Sequence, residues 1–99
     1  MARVELAPQV FDDYDRFLDH MVRFEAANPP SQIAEIIDAI QILTHSPLIG
    51  RPVSGGKREL VVGSSARGYV ALYRYIANID TVFVLALRHQ REDRYRPIA

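Results

Sequence analysis

Residues 69–88 read YVALYRYIANIDTVFVLALR. The runs Tyr69–Ile76 and Thr81–Arg88 are dense in Val, Leu, Tyr and Ile, side chains that suit a pleated, half-buried surface. Between them Ala77-Asn78-Ile79-Asp80 has the length and chemistry of a hairpin turn. Period-two geometry places Tyr69, Ala71, Tyr73 and Tyr75 on one face of the first run and Val70, Leu72, Arg74 and Ile76 on the other. The second run is apolar on both faces, so it is expected inside a sheet rather than at its edge.

Upstream of this hairpin, Glu59–Val62 reads as a third strand, and Arg3–Ala7 alternates polar and apolar residues as a short first strand does. Pro8 ends that strand and suits a first helical turn. Val10, Phe11, Tyr14, Phe17, Leu18, Met21 and Val22 then recur at steps of three and four, one stripe of a helix expected to run to about Ala27. Asp12, Asp13 and Asp15 are read as acids gathered near its positive end. Asn28 is placed as the cap of a second helix starting at Pro29, with Ile33, Ile36, Ile37, Ile40 and Leu43 as its stripe. So short a link makes the helices a hairpin. The stretch SPLIGRPVSGGK, Ser46 to Lys57, holds two prolines and three glycines and is expected to contain no regular structure. The resulting order, β-α-α-β-β-β, predicts an α+β domain with a helical hairpin packed on a small, mainly antiparallel sheet.

The 99 residues suffice for one domain spanning 1–99. At 48% hydrophobic and 24% charged the chain is neither disordered nor membrane-spanning in composition, and no apolar run approaches the roughly 18 residues of a bilayer span. The opening MARVELAPQVFDD has no export-signal pattern, which leads us to expect a cytoplasmic protein. Cysteine is absent, so disulfides, thiolate metal sites and thiol nucleophiles are excluded. The zero net charge is a cancellation: residues 1–50 carry three arginines against eight acids, and residues 51–99 nine bases against four. Such a molecule either offers a basic face to nucleic acid or an acidic partner, or uses the polarity to join its own halves.

Candidate chemistry collects after the last strand, in Arg88-His89-Gln90-Arg91-Glu92-Asp93-Arg94-Tyr95-Arg96. Cleavage of RNA by its own 2′-hydroxyl needs a base, an acid and positive charge on the phosphorane. His89 fits either proton-transfer role, Arg91 or Arg67 the charge, and Tyr95 a proton donor or a stacking platform. The bland alternative is a solvated, arginine-rich terminus. Lys57, Arg58, Arg88, Arg94 and Arg96 are candidate contacts to nucleic acid or another target. Gly63–Gly68 is a strand-connecting turn or, less simply, a phosphate cradle. Tyr69, Tyr73 and Tyr75 either stack bases or pack beneath a helix, and packing is favoured. His20, His45 and His89 lack ligand spacing, so neither a metal nor another cofactor is expected. Ser64 and Ser65 lack the setting of a hydrolase nucleophile.

The element order, the Ile-rich second helix, the loop Ser46-Pro47-Leu48-Ile49-Gly50-Arg51-Pro52, Gly68-Tyr69 leading into Leu72-Tyr73-Arg74, and Val82-Phe83-Val84-Leu85 before His89-Gln90-Arg91-Glu92 together resemble the RelE/ParE superfamily of bacterial toxins. The resemblance covers nearly the whole chain. It implies the toxin half of a type II toxin–antitoxin system, a class tied to growth inhibition and plasmid stabilisation, bound by a cognate protein antitoxin in a hetero-oligomer.

Two mechanisms occur within that resemblance. RelE-like toxins enter the ribosome and cleave mRNA as metal-independent endoribonucleases, whereas ParE-like toxins poison DNA gyrase. His89, Arg91 and Tyr95 are the kind of residue RelE-like toxins carry near the carboxyl end. The middle strands differ: Glu59-Leu60-Val61-Val62 stands where such nucleases place lysines, and Val70 where RelE has an arginine, with Arg67 nearby in another register. These departures and the balanced charge favour ParE-like action on gyrase over ribosome-dependent cleavage. A third reading is a chain that has lost toxicity and remains a binding module for its antitoxin.

Overall fold

The computed structural model describes residues 1–23, 29–63, 68–90 and 95, with backbone alone for 20–23 and 29–33. Strand β1 is Arg3–Leu6, helix α1 Pro8–Arg23 and helix α2 Pro29–Ile42. Strands β2 (Arg51–Val53), β3 (Lys57–Val62), β4 (Tyr69–Ile76) and β5 (Thr81–His89) follow. They form one five-stranded sheet in the order β1-β5-β4-β3-β2, antiparallel except where β1 runs parallel to β5. The α+β expectation holds, and β5 lies inside the sheet as its two apolar faces require.

One element was not foreseen. Arg51–Val53, inside the segment expected to lack regular structure, pairs with β3 as an edge strand. A proline is tolerated at an edge, where the missing N–H interrupts no inner ladder. Gly55 and Gly56, at φ of 80° and 70°, then turn the chain tightly into β3. The expected end of α1 near Ala27 and the cap at Asn28 lie outside the described residues; Pro29 does open α2.

Both helices cover one face of the sheet. Val10 and Phe17 of α1, with Ile36 and Ile40 of α2 and Leu43 just beyond it, pack against Ala71, Tyr73, Val82, Val84 and Leu87. The tyrosines of β4 therefore pack rather than stack on a ligand: Tyr73 is fully buried, and the Tyr69 ring lies 4.8 Å from that of Phe17. Burial pushes the pKa of both hydroxyls up.

The aspartates of α1 are placed differently from the sequence expectation. None lies in the first turn, so they do not serve its dipole. Asp13 faces inward instead and is fully buried. On β5, Leu85 is an extra residue: Val84 pairs with Tyr73 and Ala86 with Leu72, a β-bulge. β1 ends opposite Val84, so β5 loses its neighbour there. The Asp13 carboxylate takes the vacant role, accepting the Leu87 N–H at 2.8 Å, while Gln9 and Arg16 donate to its other oxygen. A buried carboxylate needs this degree of pairing. Among the described residues, no helix is long and apolar enough to cross a membrane.

Candidate functional site

Among the described residues the opposite face of the sheet carries no helix, and there the register assembles a polar cluster. Arg51 of β2 stands directly across from Glu59 of β3, because residues paired across strands point to the same side. Arg88 of β5 is on that face too, since it pairs with Val70, and Tyr95 reaches back over it.

Glu59 is the hub, with only a tenth of its side chain exposed. Its Oε1 accepts Arg51 Nη2 at 2.8 Å and Nε at 3.0 Å. Its Oε2 accepts the Tyr95 hydroxyl at 2.6 Å and lies 3.8 Å from Arg88 Nη2. The Arg88 guanidinium also sits 5.3 Å from the centre of the Tyr95 ring, a cation–π contact. Burial pushes the Glu59 carboxyl up, but the Tyr95 hydrogen bond and the Arg51 and Arg88 charges outweigh it and hold the pKa below the usual value. Tyr95 is shifted strongly upward, by burial first and then by the Glu59 carboxylate it hydrogen-bonds. Its phenol therefore stays protonated.

This arrangement separates residues that the sequence grouped together. His89 pairs with Tyr69 and so faces the helix-covered side, with its ring edge-on to Tyr69 at 5.3 Å. Tyr95 lies on the other side of the sheet. Arg67, Arg91, Arg94 and Arg96 fall outside the described residues, as do Ser64 and Ser65. The Gly63–Gly68 segment joins β3 to β4 where Val62 pairs with Tyr69. Arg58 is spent on structure, its Nη1 donating to the Leu48 and Gly50 carbonyls at 3.1 and 2.7 Å. Lys57 opens β3, half-buried. No cluster of three or more His, Asp or Glu with metal-binding geometry occurs among the described residues.

Arg51 and Glu59 were missed as site residues, although an acid directly before the apolar run Leu60-Val61-Val62 in the same strand marked a buried partner. Eight residues separate the pair, the span of a short hairpin, so a β2 strand was the missing link. Chemically, the cluster is a closed charge network: two guanidinium groups and a phenol converge on one carboxylate. Its carboxyl is held toward the ionised form and its phenol toward the protonated one.

Three comparisons bear on this fold and face. A family model described as the ParE toxin of the type II toxin–antitoxin system parDE matches residues 4–94. The curated protein Toxin RelE3 of Caulobacter vibrioides is 36% identical over 99 residues, covering 95% of this chain and 100% of that one. Among solved structures, a chain of the chromosomal ParDE TA system from P. aeruginosa superposes with a TM-score of 0.71 at 19% identity, over 90% of this chain and 96% of that one. The intact E. coli RelBE complex gives 0.61 at 18% identity, over 93% and 100%. At such identities the solved structures speak for the fold alone, which they share.

Proposed function

The chain belongs to the ParE toxin family of type II toxin–antitoxin systems, and on that footing we propose that it arrests growth by protein contact with DNA gyrase, and is held inactive by a protein antitoxin. The observation that carries the reading is Glu59. A surface that receives RNA must offer uncompensated positive charge to phosphates. Here two arginines of the open face, Arg51 and Arg88, share one buried carboxylate, which lowers the positive charge they offer to a phosphate. The phenol of Tyr95 is tied to the same group. The antitoxin is supported by the toxin–antitoxin complexes among the structural neighbours.

The alternative is RelE-like cleavage of mRNA on the ribosome, with His89, Arg91, Tyr95 and Arg67 as its catalytic residues. The convergence of Arg51, Arg88 and Tyr95 on one face is what favours it. Antitoxin-free protein decides between them in two assays run together. We expect gyrase supercoiling of relaxed plasmid to be inhibited, and mRNA 5′ ends mapped in a purified translation system to be unchanged. Normal supercoiling with ribosome-dependent cuts, lost in His89→Ala, would overturn the proposal in favour of the nuclease. Harmless overexpression would leave the chain as an antitoxin-binding module.

A further inference from the structure

Residues 51–99 carry nine bases against four acids. An excess of that kind attracts nucleic acid of any sequence, because each phosphate a cation neutralises releases a counterion. Two of the four acids, Glu59 and Asp80, lie among the described residues, in opposite settings. Asp80 is exposed beside the turn between β4 and β5, where its carboxylate accepts the Tyr75 hydroxyl at 2.6 Å. Glu59 is sunk between Arg51, whose side chain is 61% exposed, and Arg88, at 14%. Two guanidinium groups and the Tyr95 phenol, from three separate segments, converge on its carboxylate. Forked cations joined by a hydroxyl are also what holds a phosphate. Here the anion at the point of convergence belongs to the chain itself.

We propose that Glu59 is a specificity-determining residue: its carboxylate fills from within a site that suits one phosphate, and so keeps the basic half of the chain off nucleic acid. The inference rests on the protein-contact reading above and names the residue that restricts the chain to it. Discrimination against a wrong ligand is commonly built from a repulsive group, and an ionised carboxylate at the centre of the cluster is one. An amide in its place keeps the shape and an acceptor oxygen but removes the charge. Arg88 is mostly shielded from water, and a buried cation deprived of its acid is costly. An anion from outside then relieves that cost, with Arg51 and the Tyr95 phenol turned to it as they are to Glu59.

The test titrates antitoxin-free protein into a short fluorescein-labelled single-stranded RNA, with anisotropy read at salt from about 50 to about 200 mM. The wild-type chain should bind weakly. Glu59→Gln should bind at least tenfold more tightly at the lowest salt, and its log affinity should fall with log salt more steeply by about 0.7, the counterion of one phosphate. Arg51→Gln added to Glu59→Gln should return binding toward wild type. Asp80→Asn is the control. It makes the same change in net charge roughly 20 Å away along β5, beyond the Debye length of about 10 Å, and asparagine accepts the left-handed backbone at that position, φ 44°. It should bind as wild type does. Circular dichroism checks that each variant is folded, and Glu59→Ala removes the same charge should the amide not pack. Weak binding by wild type and by the Glu59 variants alike would overturn this inference and leave the protein-contact reading standing. Equal gains in Glu59→Gln and Asp80→Asn would overturn it by assigning the effect to total charge. Tight, steeply salt-dependent binding by the wild-type chain would overturn it and remove the support of the protein-contact reading as well.

Discussion

The Gly50 amide donates to the Tyr73 hydroxyl at 2.8 Å across 23 residues of sequence, inside the protein. This bond anchors the loop that leads into β2, and it leaves no room at Gly50. A Cβ there would stand 2.7 Å from the Tyr73 ring and hydroxyl and 2.8 Å from the Glu59 carbonyl oxygen. Gly50→Ala should therefore destabilise the fold by about 1–3 kcal/mol. Urea unfolding checks it, and an unchanged midpoint would show that the loop yields freely.

Asp13 is the fixed point between α1 and the bulged end of β5. Asp13→Ala leaves the Leu87 N–H buried without an acceptor and deletes a carboxylate that Gln9 and Arg16 also hold. We expect a loss of about 2–4 kcal/mol, as large as a core leucine truncated to alanine. Asp13→Asn, which keeps an oxygen for Leu87, should recover part of it. Thermal unfolding of the two variants side by side makes the comparison.

Glu59 gives the protein an acid limb. Its folded-state pKa is held below the ordinary 4.5, so the unfolded chain binds the proton more readily. The stabilisation is thus complete above that value and is lost as pH falls through the lower folded-state pKa. Unfolding midpoints followed from about pH 6 to about pH 3 should fall, and the fall should be shallower in Glu59→Gln. Identical slopes would remove Glu59 as its source.

Tyr95 acts at the other end of the scale. Burial and the Glu59 carboxylate raise its pKa above the ordinary 10.0, so its contribution is present below 10.0 and disappears as pH climbs through the raised value. Spectrophotometric titration should show one tyrosine ionising later than the rest. Tyr95→Phe should remove that late step, and its persistence would assign it to another of the buried tyrosines.

The sheet hairpin, both helices and the covered face were legible in the sequence because period and composition report burial directly. The tyrosines of β4 spaced by two could only line one face, and that face needed a cover. What escaped depended on pairing across distance. β2 was hidden because Pro52 and the two following glycines read as a break, and only the neighbour β3 makes three residues a strand. Asp13 reads as one more acid on an acidic helix, and nothing local reveals that β1 stops short of Leu87. The site was half legible for the same reason. Arg88 and Tyr95 stood out by type, and strand alternation puts His89 with Leu87 on the face opposite Arg88, but nothing local revealed that Glu59 is the acid on which Arg88 and Tyr95 converge.

The parallel pairing of β1 with β5 has a consequence for the making of the protein. Among the described residues, the first strand to be synthesised has one sheet neighbour, and it is the last. Until residues 81–84 exist, β1 has nothing to pair with, and α1 has no Leu87 for Asp13 to hold. A polypeptide interrupted before that point cannot close its sheet edge. Such long-range closure is slow to find, so the sheet of this chain is completed only when its two ends meet.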